Sequence, residues 1–471
     1  VKQTSPLIPA VVSTVPAEPI SQWDTRAILI GLMVPMGMTV LNLSMFGVAV
    51  PSIRSNFGIQ ADQVAWLVTA YTLPFVIFMP LYGRLGDSLG KRRLFLVGIV
   101  IFFIGTLLAL LTNQLPTLIL GRIIQGIGTA GVNPLCIAMI SDLFPAKERG
   151  KAFGTWSSTG PAAGMVAPFL GGFLVEQWGW WAIFVPGLLA AIISLYVVRE
   201  RLPDMAALTR PVPLRQFDWL GMLLFSATMI TLIFYLSSRP ITGVEPLQDW
   251  RLLLGTLLGL AAFFTWERRH PAPLIDLSLF ARRNFGRASL CALIRMYLMS
   301  SEGFLFPLYF TDIHHLSAGK IGLLFSLYAG SLLVTTRWAG KWADRGRGRW
   351  LIAGGLTLQA SMMAIFTFLP GEIPVLFPAT ALIMHGLGAG FSLAVLSHMA
   401  MRDIPVLQSG SAAGLFSTLR FGGSILGATV GGVILQQALQ HTPTALDAYQ
   451  IVFVSIALVG FTGVMLAWKL R

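Results

Sequence analysis

Gly83-Arg84-Leu85-Gly86-Asp87-Ser88-Leu89-Gly90-Lys91-Arg92-Arg93 sits between two long apolar segments, and Gly340-Lys341-Trp342-Ala343-Asp344-Arg345-Gly346-Arg347-Gly348-Arg349 sits between two others. Each copy places an aspartate four residues after a glycine (Gly83 and Asp87, Gly340 and Asp344), with Gly90, Arg92 and Arg345 crowding behind. A turn this short, charged and glycine-bent folds two apolar helices back on each other at a water-facing end. Its presence in corresponding places of two halves points to a duplicated membrane bundle.

Composition points the same way. Hydrophobic residues make up 55% of the chain and charged residues 11%, against about a quarter charged in soluble domains; mean hydropathy is +0.74. A helix crossing the hydrocarbon layer needs about 20 mostly apolar residues. Fourteen such stretches can be drawn, centred near residues 37, 74, 103, 127, 164, 189, 227, 258, 299, 329, 360, 386, 422 and 458. The alternating ten-residue segments of a membrane barrel are absent. The expected fold is an all-α polytopic membrane protein.

The net charge of +13 raises nucleic-acid binding, and the placement of the basic residues argues against it. With fourteen spans and the amino terminus inside, four of the 33 lysines and arginines fall in exterior loops (Arg54, Arg239, Arg251, Lys320) and three within spans (Arg122, Arg295, Arg420). The other 26 lie on the cytoplasmic side, as the positive-inside rule requires. The charge therefore reports topology, with both termini cytoplasmic; the one Asn-x-Ser/Thr sequon, Asn42-Leu43-Ser44, falls inside the first span, which fits a plasma membrane of prokaryotic inner-membrane type.

Residues 1–23 read as a proline-rich cytoplasmic tail, 24–200 as an amino-terminal six-helix bundle, 201–284 as connectors with two additional membrane helices, and 285–471 as a carboxy-terminal six-helix bundle. Cys136 and Cys291 fall in apolar spans and read as small hydrophobes. Gly126-Ile127-Gly128-Thr129-Ala130-Gly131 spells a dinucleotide fingerprint without the strand that such a site needs. His314-His315 beside Asp312 lacks the spaced partners of a metal site.

The paired hairpins resemble motif A of the major facilitator superfamily, a family of secondary transporters. Leu120-Gly121-Arg122 through Gly126-Ile127-Gly128 resembles its motif B, and Gly160-Pro161 through Gly164 to Gly171-Gly172 resembles its antiporter motif C. Two sixes plus an intercalated pair, and the connector from Trp266-Glu267-Arg268-Arg269-His270-Pro271 to Leu279-Phe280, are similar to the fourteen-span drug:proton antiporter branch. The resemblance implies efflux of amphipathic or hydrophobic small molecules, xenobiotics among them. Export would run by alternating access with a proton gradient in place of a cofactor, and with a periplasmic adaptor where the host has two membranes. A solute facilitator or symporter of the same fold is the alternative. A membrane enzyme fits less well, since the chain has few acids and no repeated acidic motif.

Ionisable groups inside a membrane are costly and tend to mark substrate or proton paths. Arg122 is such a group, and Arg420 is a second, three residues before the glycine ladder Gly423, Gly427 and Gly431 that mirrors the one along the fifth span. Both ladders are expected at a gating seam between the halves, with Gly160, Pro161, Gly164 and Gly172 facing another helix closely and bending their own. Leu41-Asn42-Leu43-Ser44 through Ile53 resembles the branch's first-span motif, in which an aspartate usually occupies the position of Asn42. An amide cannot titrate, so Asn42, like Arg420, is a substrate-cavity candidate. Glu302 is the acid placed deepest in a span; Arg295 lies seven residues earlier, about 10 Å along the same helix face, and His385 sits centrally in another span. Glu302, His385, Arg122 and Arg295 are therefore the proton-coupling candidates. If the hairpins gate the bundles, Asp87→Asn will lower transport while leaving membrane insertion intact; unchanged efflux at equal expression would remove the gating role.

Overall fold

A hydrocarbon layer offers no water to backbone N–H and C=O groups, so each apolar stretch closes its hydrogen bonds internally as a helix. The computed structural model describes residues 24–203, 217–270, 274, 277–342, 347–371, 373–404 and 409–470. The expected tail and the proline-rich middle of the first connector lie outside them. The first bundle contains α1 (Thr25–Phe57), α2 (Ala61–Leu89), α3 (Lys91–Leu111), α4 (Leu115–Thr129), α5 (Val132–Leu143), α6 (Ala146–Ser157), α7 (Thr159–Trp178) and α8 (Phe184–Arg201). An inserted hairpin follows, α9 (Trp219–Leu236), the single turn α10 (Arg239–Thr242) and α11 (Trp250–Glu267). The second bundle contains α12 (Arg283–Asp312), α13 (Ala318–Trp342), α14 (Gly348–Phe368), α15 (Leu376–Met401), α16 (Ser409–His441) and α17 (Ala445–Trp468).

Among the described residues, twelve helical segments are long and apolar enough to cross a membrane, α4 with α5 and α6 with α7 each counting once. The long helices α11 and α12 are not among the twelve. Arg251 and Glu267 dilute the apolar run of α11, and Arg295 and Glu302 that of α12. Between twelve and fourteen crossings fit the fold. Helix ends carry their own stops: the Asp24, Asp218 and Asp249 side chains accept backbone N–H bonds at the starts of α1, α9 and α11. Gly58 closes α1 in the left-handed region at φ 61°.

The halves repeat one arrangement. In the first, α1 packs on α7 and α8, and α3 on α4 and α8; in the second, α12 packs on α16 and α17, and α14 on α15 and α17. The bundles meet where α7 crosses α13 and α2 crosses α16, with a smaller contact of α1 on α12. The inserted helices pack on each other, and α9 also touches α2 and α16. It is tied to α2 by a Trp66 Nε1–Ser237 Oγ bond of 2.9 Å.

The first hairpin differs from the expected loop. α2 runs on through Gly83 and Gly86 to Leu89, and Gly90, at φ 92°, is the one residue between it and α3. A Cβ on Gly86 would lie 2.6 Å from Leu135 Cδ2, so this glycine serves helix packing. Gly340 lies within α13; Asp344, Arg345 and the side chain of Asp87 lie outside what is described.

The glycine ladders also divide differently from the expectation. Cβ atoms on Gly423 and Gly427 would meet Leu293 O at 2.0 Å and Tyr297 O at 2.4 Å, so this ladder seats α16 against α12 inside its own bundle. In α7 the close crossing of the seam is at Gly172, where a Cβ would lie 2.3 Å from Ala318 O. It is answered by Gly322, where a Cβ would lie 2.2 Å from Pro168 O. Gly160 and Gly164 are looser, with nearest neighbours at 3.5 and 3.9 Å. Pro161 sits in the first turn of α7, where a missing N–H costs nothing, just after the break at Ser158. Overpacking a tight contact costs about 1–3 kcal/mol, roughly 5- to 150-fold in the population of this arrangement. Gly172→Ala should therefore slow transport strongly while Gly164→Ala leaves it near normal; equal rates for the two variants at matched expression would contradict this reading of the seam.

Candidate functional site

Glu302 lies near the middle of α12 and His385 near the middle of α15, and both are buried, at 1% and 0% exposure. His385 Nδ1 and Glu302 Oε2 are 2.7 Å apart. The contact has ion-pair distance without hydrogen-bond alignment, and the Tyr328 hydroxyl is the other polar group that reaches Glu302. The next residue, Gly386, explains the placement of a third group. A Cβ there would come within 2.6 Å of Tyr328 O and 2.3 Å of Ser331 Oγ, so α13 and α15 pack at backbone distance. Tyr328 is thereby laid over His385, with ring centroids 6.1 Å apart and planes at 28°. Arg295 turns to the same helix α15: its Nε donates to Ala389 O and Ser392 Oγ, both at 3.1 Å.

The corresponding group of the first bundle is Arg122, fully buried in α4. Its Nη1 donates to Asn42 Oδ1 at 3.0 Å and Gln125 Oε1 at 2.9 Å, and its Nε to Leu67 O at 3.3 Å. Gln125 passes the chain on, Nε2 donating to Thr106 Oγ1 at 3.0 Å. The guanidinium also lies over Phe46 and Tyr71, 3.9 and 4.4 Å from the ring centroids. Two aromatic faces are worth about 0.5–2 kcal/mol each to such a cation. Among the described residues no carboxylate pairs with it. Asn42, expected against substrate, is here an acceptor for Arg122. Glycines make room for this packing: Cβ atoms on Gly126 and Gly128 would meet Tyr71 O at 2.2 Å and Phe102 N at 2.4 Å. The fingerprint-like glycine run is thus a helix-packing surface. Arg420 stacks on its neighbour Phe421, 4.5 Å from the ring centroid, and Phe421 meets Phe75 of α2 edge-on.

A third cluster escaped sequence reasoning. Arg54, at the end of α1, pairs with Asp312, at the end of α12, at 2.7 Å, and Tyr449 Oη donates to the same carboxylate. Close by, Ala61 N donates to Gln436 Oε1 at 3.1 Å, Gly319 N to Glu176 Oε2 at 3.1 Å, and Thr69 meets Thr429 at 2.9 Å. Among the described residues, the hydrogen bonds joining the two bundles all lie from mid-depth toward this Arg54 end. Two bonds described at the other, basic end, Lys91 to Asp142 and Arg92 to the Arg199 carbonyl, stay within the first bundle. Asp312 therefore belongs to a cross-bundle contact, and its neighbour His314 faces Tyr309 Oη at 3.3 Å. Burial and the adjacent His315 lower the pKa of His314, which leaves it neutral at pH 7. No group of three metal-type side chains forms among the described residues.

The sequence profile of the Major Facilitator Superfamily matches residues 32–286 and 288–471. The chain is similar to the riboflavin transporter RibZ of Clostridioides difficile, 27% identical over 88% of this chain and 89% of that one. It is similar to the multidrug resistance protein Stp of Mycobacterium tuberculosis, 28% identical over 86% and 75%. It is also similar to the tetracenomycin C resistance and export protein of Streptomyces glaucescens, 27% identical over 88% and 76%. Among solved structures, a peptide transporter POT in complex with sulfate superposes with a TM-score of 0.71 at 14% identity, covering 94% of this chain and 93% of that one. The human organic anion transporter MFSD10 does so at 0.65 and 15%, covering 94% and 99%.

Removing an acceptor from a buried charged donor costs about 1–3 kcal/mol. Asn42→Ala should accordingly lower the thermal midpoint of the purified protein, and Asn42→Gln should recover only part of it; a midpoint unchanged in both would mean that Arg122 does not depend on the amide.

Proposed function

We propose that this chain, which belongs to the Major Facilitator Superfamily, is a secondary exporter of amphipathic or hydrophobic small molecules driven by proton entry. One observation carries the coupling: the buried contact between Glu302 and His385 on two helices of one bundle. A proton added to or taken from this couple switches it between a neutral state and a net charge, and a net charge so deep in the protein costs several kcal/mol. Such a penalty favours whichever arrangement of the bundles lets water or a counter-charge reach the couple. Arg295 on α12 and Tyr328 on α13 are the ionisable neighbours available to tune it, and Arg420 on α16 acts in turn on Arg295. The first bundle offers Arg122 a neutral amide at Asn42, so its charge stays fixed through the cycle.

The sided distribution of basic residues supports an orientation with the Arg54 end outside, both termini in the cytoplasm, and the bundles closed toward the exterior. Multidrug-resistance and export proteins among the relatives support an efflux substrate. A second reading, a facilitator or symporter for a defined solute, is favoured by the absence of an acid at Asn42 and by the riboflavin transporter among the relatives. Substrate-dependent proton movement in proteoliposomes separates the two.

Glu302→Gln keeps the shape of the side chain but removes titration. It should bind substrate normally, lose proton-driven accumulation down to the level seen with the gradient collapsed, and flatten the pH profile. His385→Ala should displace that profile more mildly. If Glu302→Gln accumulates substrate against a gradient as well as the parent, the proton is carried elsewhere.

A further inference from the structure

Arg282, Arg283 and Arg287 open α12 at the basic end of the bundle, and with Asn284 and Asp403 they line a cavity of about 300 Å³. None of the three arginines forms an ion pair among the described residues. Arg282 Nη1 donates to the Asp403 carbonyl at 2.7 Å, and Arg287 donates to the Lys469 carbonyl. The Asp403 carboxylate is engaged by Asn284 Nδ2 at 2.7 Å. Arg283 makes no hydrogen bond among the described residues. Three like charges gathered on fewer than two helical turns repel one another, and the single Asp403 carboxylate at the cavity leaves it with a net positive charge.

The surface below the cavity has the opposite character. Arg283, Arg287 and Leu290 recur at the spacing of one helix face, and Leu290 is 42% exposed on a helix most of whose apolar side chains are buried. Phe280, just before the helix, is 38% exposed. Nearby, at the same end, Trp350 and Trp468 meet edge-on with ring centroids 4.6 Å apart, both partly exposed, as side chains at a membrane boundary do. A cationic cradle at the boundary above an apolar strip matches an amphiphile with a negatively charged head. Each lysine or arginine near an anionic membrane surface contributes about 1 kcal/mol of attraction.

We propose that this cradle binds the headgroup of an anionic phospholipid, with one acyl chain lying along Leu290. The inference depends on the helical bundle and its basic end, and on no assumption about substrate or proton coupling. The lipid would hold the start of α12, the helix that carries Glu302, against the end of α15, which carries His385.

The test uses the full-length protein extracted from vesicles of phosphatidylglycerol mixed with phosphatidylcholine, with retained lipid counted by native mass spectrometry. The parent should retain phosphatidylglycerol over phosphatidylcholine. Replacing Arg282, Arg283 and Arg287 together by Gln should reduce that preference about tenfold or more, whereas replacing them by Lys should largely keep it. Since Arg282 and Arg287 also hold backbone carbonyls, Arg283→Glu alone supplies a variant that breaks no internal bond, and it too should lose the preference. Equal phosphatidylglycerol retention by the parent and Arg283→Glu would overturn the proposal. So would displacement of the lipid by inorganic phosphate alone, which would make the cradle a site for free anions.

Discussion

Charge inside a lipid-embedded bundle has to be answered by protein, because water is excluded and the penalty for an unanswered ion is several kcal/mol. The two halves of this chain meet that constraint in different ways. Around Arg122 the answer is neutral: two amides, a backbone carbonyl and two aromatic faces hold a cation whose state has no reason to change. Around Glu302 the answer is another titratable group, His385 at 2.7 Å, so the charge of the site depends on its proton count. One fold repeated twice thus sets a cation among neutral partners in one copy and an acid beside a histidine in the other.

Packing connects the proposed proton site to the seam. α13 carries Tyr328 over His385, and the same helix crosses α7 at Gly322 and Pro168. Close-packed interfaces shift between discrete arrangements and do not deform smoothly, so a change beside α13 has a short route to the crossing. At the Arg54 end the Arg54–Asp312 pair, with Tyr449 behind it, spans the bundles among partly exposed groups. Its contribution is on the order of 1 kcal/mol, enough to bias a closed state without locking it.

The helices, the duplication and the sidedness of charge were legible because each is written locally, in apolar runs, paired hairpins and basic ends. The buried acid and histidine were legible as well, since few polar residues break long apolar stretches. Their contact was not, because Glu302 and His385 lie on helices separated by two other spans. The Arg54–Asp312 pair joins residues 258 positions apart, and Asp312 instead drew attention through the two histidines that follow it. Glycines misled in a consistent way. Spacing says that a helix face is small, and it does not say which neighbour comes close; thus Gly423 and Gly427 serve their own bundle while Gly172 serves the seam. The role of Asn42 as a partner of Arg122 was hidden for the same reason: an amide advertises hydrogen bonding without naming the donor.

The central claim is that proton loading at Glu302 and His385 sets which end of the bundle is closed. Asn56→Cys and Lys320→Cys place exposed labelling sites on either side of the seam at the Arg54 end, while the native Cys136 and Cys291 are buried. Spin-label distances between the two sites in nanodiscs, recorded across a pH series, test the claim directly. The account predicts two distance populations whose ratio changes with pH in the parent and is independent of pH when Glu302→Gln is added. The same pH-dependent ratio in both proteins would contradict it.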